Sequence, residues 1–308
     1  MCTSISMNNG NFYFGRNMDI DYSFGERVII MPRSFPISFK KVQAPEKHYA
    51  VIGMGTTEEG FPLYAEGGNE TGLCISALKF NDNAVYSENE EAGKNNIAPY
   101  ELIPWILGKC RSVTEAKKLL EETNIIGVPF NDKLPLSPLH WHIADKKESI
   151  TVERTGEGMK IYDNPFGVLT NNPPFPFHSE NASQYERLTP KFPTNAYIKP
   201  FGLGFGSIGL PGDFSPASRF IRAYFLLKNS ACDSNNIAQF FHLLDNVAIP
   251  KGAVLTPDGK YHYTTYSCCI DTTNMTYYYK TYDGMSIKSV TADEKSINSH
   301  ILSEIPIN

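Results

Sequence analysis

Three side chains near the start of the chain, in "MCTSISMNNGNFYFGRNMDIDYSF", have types that could do chemistry together: Cys2, Arg16 and Asp19. Initiator methionine is removed where the next side chain is small, and cysteine is small. Cys2 would then carry a thiol and an α-amine on one residue. A free α-amine titrates at about 7.7–8.0, so part of it is neutral near pH 7 and can take a proton. A thiol titrates at about 8.5 and needs only a modest push to become thiolate. Nucleophile and base on one residue is the arrangement of N-terminal nucleophile catalysis. A guanidinium beside the sulfur favours thiolate, and a carboxylate can orient the ammonium. The odd spacing of Arg16 and Asp19 puts them on opposite faces of a regular strand. A turn or bulge around Asn17 is therefore expected if both are to reach Cys2. The competing reading of the two charges is a solvated pair at a strand end.

The rest of the chain must position these groups. Its 308 residues are 41% hydrophobic and 20% charged, with net charge −5, which suits a folded domain with a substantial core. Basic residues do not cluster, which excludes a nucleic-acid footprint. No apolar run reaches the ~20 residues of a membrane helix, so no membrane insertion is expected. The start lacks the apolar stretch of a signal peptide, and a cytoplasmic location is expected. Six cysteines without paired spacing read as free thiols. Cys74, in "GLCISAL", and Cys110 read as core residues.

Short β-branched and aromatic runs, "TSISM", "NFYFG", "RVIIM", "HYAVIGM", "PLYAEG" and "GLCISALKF", read as strands. Two helices follow: "PYELIPWILGKC", and "SVTEAKKLLEET", which opens with Ser112 and Glu115 at capping-box spacing. Strands return in "LHWHIAD", "SITVERT", "MKIYD" and "FGVLT". An extended connector is expected over residues 171–200. The helices "SPASRFIRAYFLL" and "NIAQFFHLLDNV" come next, then the strands "YTTYSCCID", "TYYYKTY" and "SIKSV". This order predicts one α+β layered domain over residues 2–308 with largely antiparallel sheets.

The segments "MCTSI", "FGRNMDIDYSFGE", "NETGL", "LHWHIAD", "YDNPFGVLTNNP" and "GLPGDFSPASRF" resemble, in order, the choloylglycine hydrolase family. That family contains bile salt hydrolases and penicillin V acylases. The resemblance implies a four-layer αββα sandwich of the N-terminal nucleophile hydrolase type, and cleavage of a non-peptide amide. It places the family's catalytic residues on Cys2, Arg16, Asp19, Asn171 and Arg219. Asn171 suits an oxyanion, because an uncharged amide donates hydrogen bonds; its neighbour Asn172 reads as a turn residue. Arg222, one turn after Arg219, reads as its surface counterpart. Lys79 stands where bile salt hydrolases resemble "LNF". Its backbone N–H falls on the family's second oxyanion donor, and its side chain bears on substrate preference. Asn81, two residues on, is expected to share its face.

The apolar acyl pocket is expected from Met18, Ile20, Tyr22, Phe24, Phe61, Tyr64, Phe130, Leu134 and Leu136, each of which could instead be core. The implied substrate is a glycine- or taurine-conjugated bile salt, with no cofactor and a homotetrameric assembly. The alternatives are a penicillin V acylase or other N-acyl amidase of the family, and a non-catalytic assembly protein on the same scaffold. His140 and His142 share a strand face but have no third ligand at a recognisable spacing, so core histidines are expected. "GDFSPASRF" is not a GxSxG elbow, and "FGLGFGSIGLPG" lacks a P-loop lysine.

Overall fold

The computed structural model of the chain describes residues 1–194, 202–232 and 235–307. Two twisted sheets lie face to face. In the six-stranded sheet, β1 (Cys2–Asn9), β2 (Asn11–Ile20), β12 (Val168–Leu169), β13 (Tyr263–Asp271), β14 (Thr276–Thr281) and β15 (Lys288–Thr291) run in the order β12-β1-β2-β13-β14-β15. The eight-stranded sheet contains β3 (Arg27–Met31), β4 (Val51–Glu58), β5 (Phe61–Asn69), β6 (Cys74–Lys79), β9 (Leu139–Ala144), β10 (Ser149–Thr155), β11 (Gly158–Asp163) and β16 (Ser303–Pro306). Its order is β11-β10-β9-β6-β5-β4-β3-β16. All pairs in both sheets are antiparallel. A small parallel pair, β7 (Asn95–Ile97) and β8 (Thr123–Ile125), brackets two helices, α1 (Leu102–Lys109) and α2 (Val113–Glu121).

These two helices cover the outer face of the eight-stranded sheet. There Trp105, Leu107 and Val113 pack against Ile29, Val51 and Ile75. On the opposite side, α4 (Pro216–Lys228) and α5 (Asn236–Asp245) cover the six-stranded sheet, packing Phe220, Phe240 and Leu244 near Ile5, Phe14 and Val168. The result is the expected αββα sandwich. The central strand β2 is buried along both faces from Phe12 to Ile20, because one face meets helices and the other meets the second sheet. That is why it does not alternate as a half-exposed strand would. Gly15 lets β13 lie close against it: a Cβ there would sit 2.0 Å from the Cys268 carbonyl oxygen.

Local signals hold at the helix starts. Ser112 caps α2, accepting from the Glu115 N–H at 3.3 Å, while Glu115 reaches back to the Arg111 N–H at 2.8 Å. Ser215 caps α4 with Pro216 next. The stretch read as an extended connector departs from expectation. It holds α3 (Phe175–Ser183), which begins after Pro174 with Pro176 in its first turn. Proline there fits the start of a helix, so "NPPFPF" was a helix signal read as a loop. Residues 195–200 of that stretch lie outside the described residues. A last short helix, α6 (Glu294–Ile297), sits against β3.

The two histidines of β9 are core residues with both ring nitrogens engaged. His140 contacts Glu153 Oε1 at 3.2 Å and the Thr170 carbonyl at 3.0 Å. His142 lies between Ser4 Oγ at 2.9 Å and Ser149 Oγ at 2.8 Å. No group of three metal-binding side chains occurs among the described residues. Burial, helped by His140, pushes His142 down to about 3. Burial likewise pushes His178 of α3 down to about 4. Both values lie below the ~6.5 of an unfolded histidine, so as pH falls the unfolded chain takes up protons first. This stability is complete above pH ~6.5 and is lost as pH falls towards 4, by up to about 1.4 kcal/mol per unit for each ring. Melting temperature should therefore drop between pH 7 and 4.5, with a shallower slope in His142→Gln. A flat profile for the wild-type chain would refute this.

Candidate active site

Arg16 and Asp19 approach Cys2 from opposite faces of β2. The β1–β2 register is unbroken, with Cys2 opposite Met18, Thr3 opposite Asn17 and Ser4 opposite Arg16. The bulge expected around Asn17 is absent; the irregularity lies on the other flank, in β13 between Thr264 and Tyr266. No bulge is needed because Cys2 begins its strand. Its side chain shares a face with Met18 and Arg16, and its sulfur lies 3.9 Å from Met18 Sδ. Its backbone is reached from the helical side, where Asn17 and Asp19 point. Asn17 donates to the Leu244 carbonyl at the end of α5 at 2.8 Å. Asp19 Oδ1 accepts from Thr264 Oγ1 at 2.6 Å, and its Oδ2 lies 3.8 Å from Arg219 Nη1.

On the sulfur side, Arg16 fills a split in the eight-stranded sheet. The β5–β6 ladder runs from Gly68–Cys74 to Glu66–Ser76 and stops. Beyond it, Ala65 is the extra residue of a β-bulge against β4, and the two strands part. Arg16 Nη1 bridges them, donating to the Ala77 carbonyl at 2.5 Å and the Ala65 carbonyl at 3.3 Å. The same nitrogen lies 3.5 Å from Glu66 Oε2, and both side chains are fully buried.

On the backbone side, Asn171 is the hub. Its Oδ1 accepts from the Cys2 N–H at 2.8 Å and from Arg219 Nη2 at 2.9 Å, and its Nδ2 donates to the Lys79 carbonyl at 2.8 Å. Two donors at one atom and an acceptor at the other define which way the amide points. One Nδ2 hydrogen has no partner among the described residues. Arg219 Nη1 also donates to the Cys2 carbonyl and to Thr3 Oγ1, both at 2.6 Å. The Asn171 main chain is held by His178 Nε2 on its carbonyl at 2.8 Å. The Phe80 N–H points to β9, donating to Pro138 O at 2.9 Å. By strand alternation the Lys79 N–H points the other way, into the β5–β6 split.

That split opens into a cavity of about 490 Å³ with Cys2, Arg16 and Lys79 among its walls. Eight of the nine residues expected to line it do so: Met18, Ile20, Tyr22, Phe24, Tyr64, Phe130, Leu134 and Leu136. Phe61 does not. It packs behind the wall, edge-on to Tyr100 at 5.9 Å and against Phe130 at 6.0 Å. Asn81 is also displaced from expectation: β6 ends at Lys79, and Asn81 is exposed in the following turn, away from the cavity. Arg222 is no surface residue. It is buried and donates to the carbonyls of Asn246, Pro211 and Asp213. Sequence reasoning missed Tyr100 and Ile103, which α1 and its approach bring into the wall, because they read as ordinary helix core.

His262, also missed, contacts the amino group of Met1, which donates to the Asp19 carbonyl at 2.9 Å. Nothing in the spacing of seven histidines singles it out. Burial pulls the Met1 ammonium below its ordinary value, against the pull of Cys2 and Asp19. It also pushes His262 down to about 4, aided by that neighbouring amino group. The arrangement can present a sulfur to an acyl group in an apolar cavity, with N–H donors beside it.

A family profile for linear amide C–N hydrolases, the choloylglycine hydrolase family, matches residues 2–303. A bile salt hydrolase/transferase of Lactiplantibacillus plantarum is 45% identical, over 100% of this chain and 97% of that protein. Another, from Clostridium perfringens, is 39% identical over 97% of this chain and 95% of its own length. The crystal structure of an arginine-to-leucine variant of conjugated bile acid hydrolase from Clostridium perfringens matches with TM-score 0.92. It is 37% identical and covers 100% of this chain and 97% of that one. With the αββα architecture and a full-length match, this chain belongs to the choloylglycine hydrolase family of linear amide C–N hydrolases.

Proposed function

We propose that the protein hydrolyses glycine- or taurine-conjugated bile salts, with Cys2 as nucleophile after loss of Met1. The carrying observation is that Cys2 lines a largely apolar cavity of about 490 Å³, suited to a steroid acyl group. The names of the relatives at 45% and 39% identity support the same substrate class.

The reaction follows from the geometry. Removing Met1 turns the Cys2 amide nitrogen into an amine that can take a proton near neutral pH. Cys2 Sγ attacks the amide carbonyl carbon, forming the C–S bond as the carbonyl π electrons move to oxygen. The thiol proton passes to the α-amine, which Asn171 Oδ1 holds at the Cys2 nitrogen. The oxyanion takes donors from the Lys79 N–H and the uncommitted Asn171 Nδ2 hydrogen. The C–N bond breaks as the α-ammonium returns the proton to the leaving amine. Water, deprotonated by the α-amine, then attacks the thioester carbonyl. This releases the bile acid and restores the thiol. Arg16 favours thiolate, and Asp19 with Arg219 holds the amine end. No cofactor enters this scheme.

Glycocholate, taurocholate and penicillin V offered side by side test the reading. Both bile salts should turn over faster than penicillin V, and Cys2→Ala should abolish all turnover with the fold retained. The intact mass of active enzyme should correspond to a chain beginning at Cys2. Full activity with Met1 retained, or in Cys2→Ala, would sink the mechanism.

Lys79 is the departure with consequence for substrate. Lys79 lines the cavity, and its ammonium has no ion-pair partner among the described residues. A conjugated bile salt carries an anion beyond its amide, which this cation can attract. An exposed pair contributes about 0.2–1 kcal/mol, so Lys79→Asn should lower kcat/KM for both bile salts by at most about fivefold. The effect should shrink at high salt and be smaller for penicillin V. Equal, salt-independent loss of kcat on every substrate would instead tie Lys79 to the oxyanion scaffold.

The resemblance also carries a cytoplasmic homotetramer. No helix among the described residues is long and apolar enough to cross a membrane. Light scattering on the purified chain should give a mass near four chains, and a monomer would remove that assignment.

A further inference from the structure

Behind Arg16 lies a buried cluster that the proposed mechanism does not use. Glu66 is fully buried. Tyr266 Oη donates to both its oxygens at 3.1 Å, Tyr277 Oη donates to Oε1 at 2.6 Å, and Cys268 Sγ lies 3.6 Å from Oε1. Arg16 Nη1 faces Oε2 at 3.5 Å. Burial holds the two phenols and the Cys268 thiol far above their ordinary values, so all three are neutral donors. Glu66 is thus enclosed by donors from β2, β13 and β14. A carboxylate satisfies such a shell, whereas a protonated carboxyl would bring in a further donor. Burial raises the Glu66 carboxyl above its ordinary range, against the opposing pull of Arg16 and the three hydrogen bonds. The donor shell is what an ionised carboxylate accepts from, and it is that form which pairs with Arg16.

Arg16 belongs to both the cluster and the cavity. Glu66 holds it from behind, and its guanidinium lines the cavity with Cys2. Other charged or titratable groups near Cys2 are Asp19 of β2, Tyr22 of the loop after β2, Lys79 of β6, Arg219 of α4, and the α-amine with His262 beside it. Among the described residues Arg16 is the cation paired with Glu66, so Glu66 bears on how much of that cation's charge the sulfur feels.

We infer that Glu66 is a positioning residue for this amidase, acting through Arg16 to set the pH at which the Cys2 sulfur becomes reactive. This rests on Cys2 as the nucleophile but not on which acyl amide is cleaved. Removing the carboxylate charge leaves the guanidinium uncompensated beside the sulfur, which favours thiolate. The direction is specific: a residue that merely fills space would not move the titration.

The test is the rate of Cys2 alkylation by iodoacetamide between pH 6 and 10, with the modified peptide identified by mass. No bile salt is used, so failure of the substrate reading leaves the result interpretable. In Glu66→Gln the half-maximal pH should fall by about 0.5–1 unit, while Glu66→Asp, which keeps the charge, should move less. In Tyr277→Phe the carboxylate loses its shortest donor and is more readily protonated, so the half-maximal pH should fall as in Glu66→Gln, but by less. Graded falls, largest in Glu66→Gln and smaller in Tyr277→Phe, establish the role. An unmoved midpoint in a folded Glu66→Gln chain, or a rise in either variant, overturns it. If Glu66→Gln does not fold, Tyr277→Phe decides alone: a fall supports the inference, and an unmoved or raised midpoint overturns it.

Discussion

A guanidinium buried between two sheets is largely cut off from bulk water, so its surroundings must supply acceptors and a countercharge. Arg16 meets part of this demand through Nη1, which takes carbonyls from two strands that have stopped pairing with each other and faces Glu66; Nη2 is buried without a hydrogen-bond partner among the described residues. The bulge at Ala65 frees one carbonyl and the end of the β5–β6 ladder frees the other. The parted strands leave the split that becomes the cavity, and the cation stands in its wall beside the sulfur. Removing either partner of such a buried pair costs about 3–5 kcal/mol, because it leaves an uncompensated charge. Cavity, cation and countercharge are thus one structural solution.

The opposite face of β2 solves a second problem. Asp19, Arg219 and Asn171 are drawn from three distant segments; Arg219 and Asn171 meet the backbone of Cys2, and Asp19 faces Arg219. Arg219 sits in the first turn of α4, where the helix dipole disfavours a cation. Asp19 and the acceptors at Cys2, Thr3 and Asn171 hold it there. Placing Cys2 at the first position of its strand lets one residue be served from both faces. Its side chain meets Arg16 and the cavity, while its nitrogen and carbonyl meet Asn171 and Arg219.

The cavity wall has a different character. Pro129, Phe130, Leu134, Pro135 and Leu136 come from the loop before β9, and Tyr22 and Phe24 from the loop after β2. These segments are anchored at only a few points, such as Lys40 on the carbonyls of Pro129 and Phe130. The polar groups stand on strands and a helix, while much of the acyl wall stands on loops. Loops can change composition without disturbing the sheets, which lets one scaffold serve different acyl groups.

Much of this molecule was legible in its sequence. Periodicity and capping residues located the main strands and four helices, because those signals depend on neighbours within a few residues. Residue chemistry drew attention to Cys2, Arg16 and Asp19, and ordered motifs drew attention to Asn171 and Arg219. The helix over Phe175–Ser183 escaped because its prolines favour a helix start and a loop alike. The faces of β2 were also readable, but not their consequence: an unbroken register with Cys2 at the strand end removed the need for a bulge at Asn17. Tertiary structure alone decided that Phe61 stands behind the cavity wall, that Asn81 leaves the strand, that Arg222 is buried and that Glu66 backs Arg16. Each depends on which distant segment arrives at a given point, and Glu66 and Arg16, fifty positions apart, meet only when the two sheets stack.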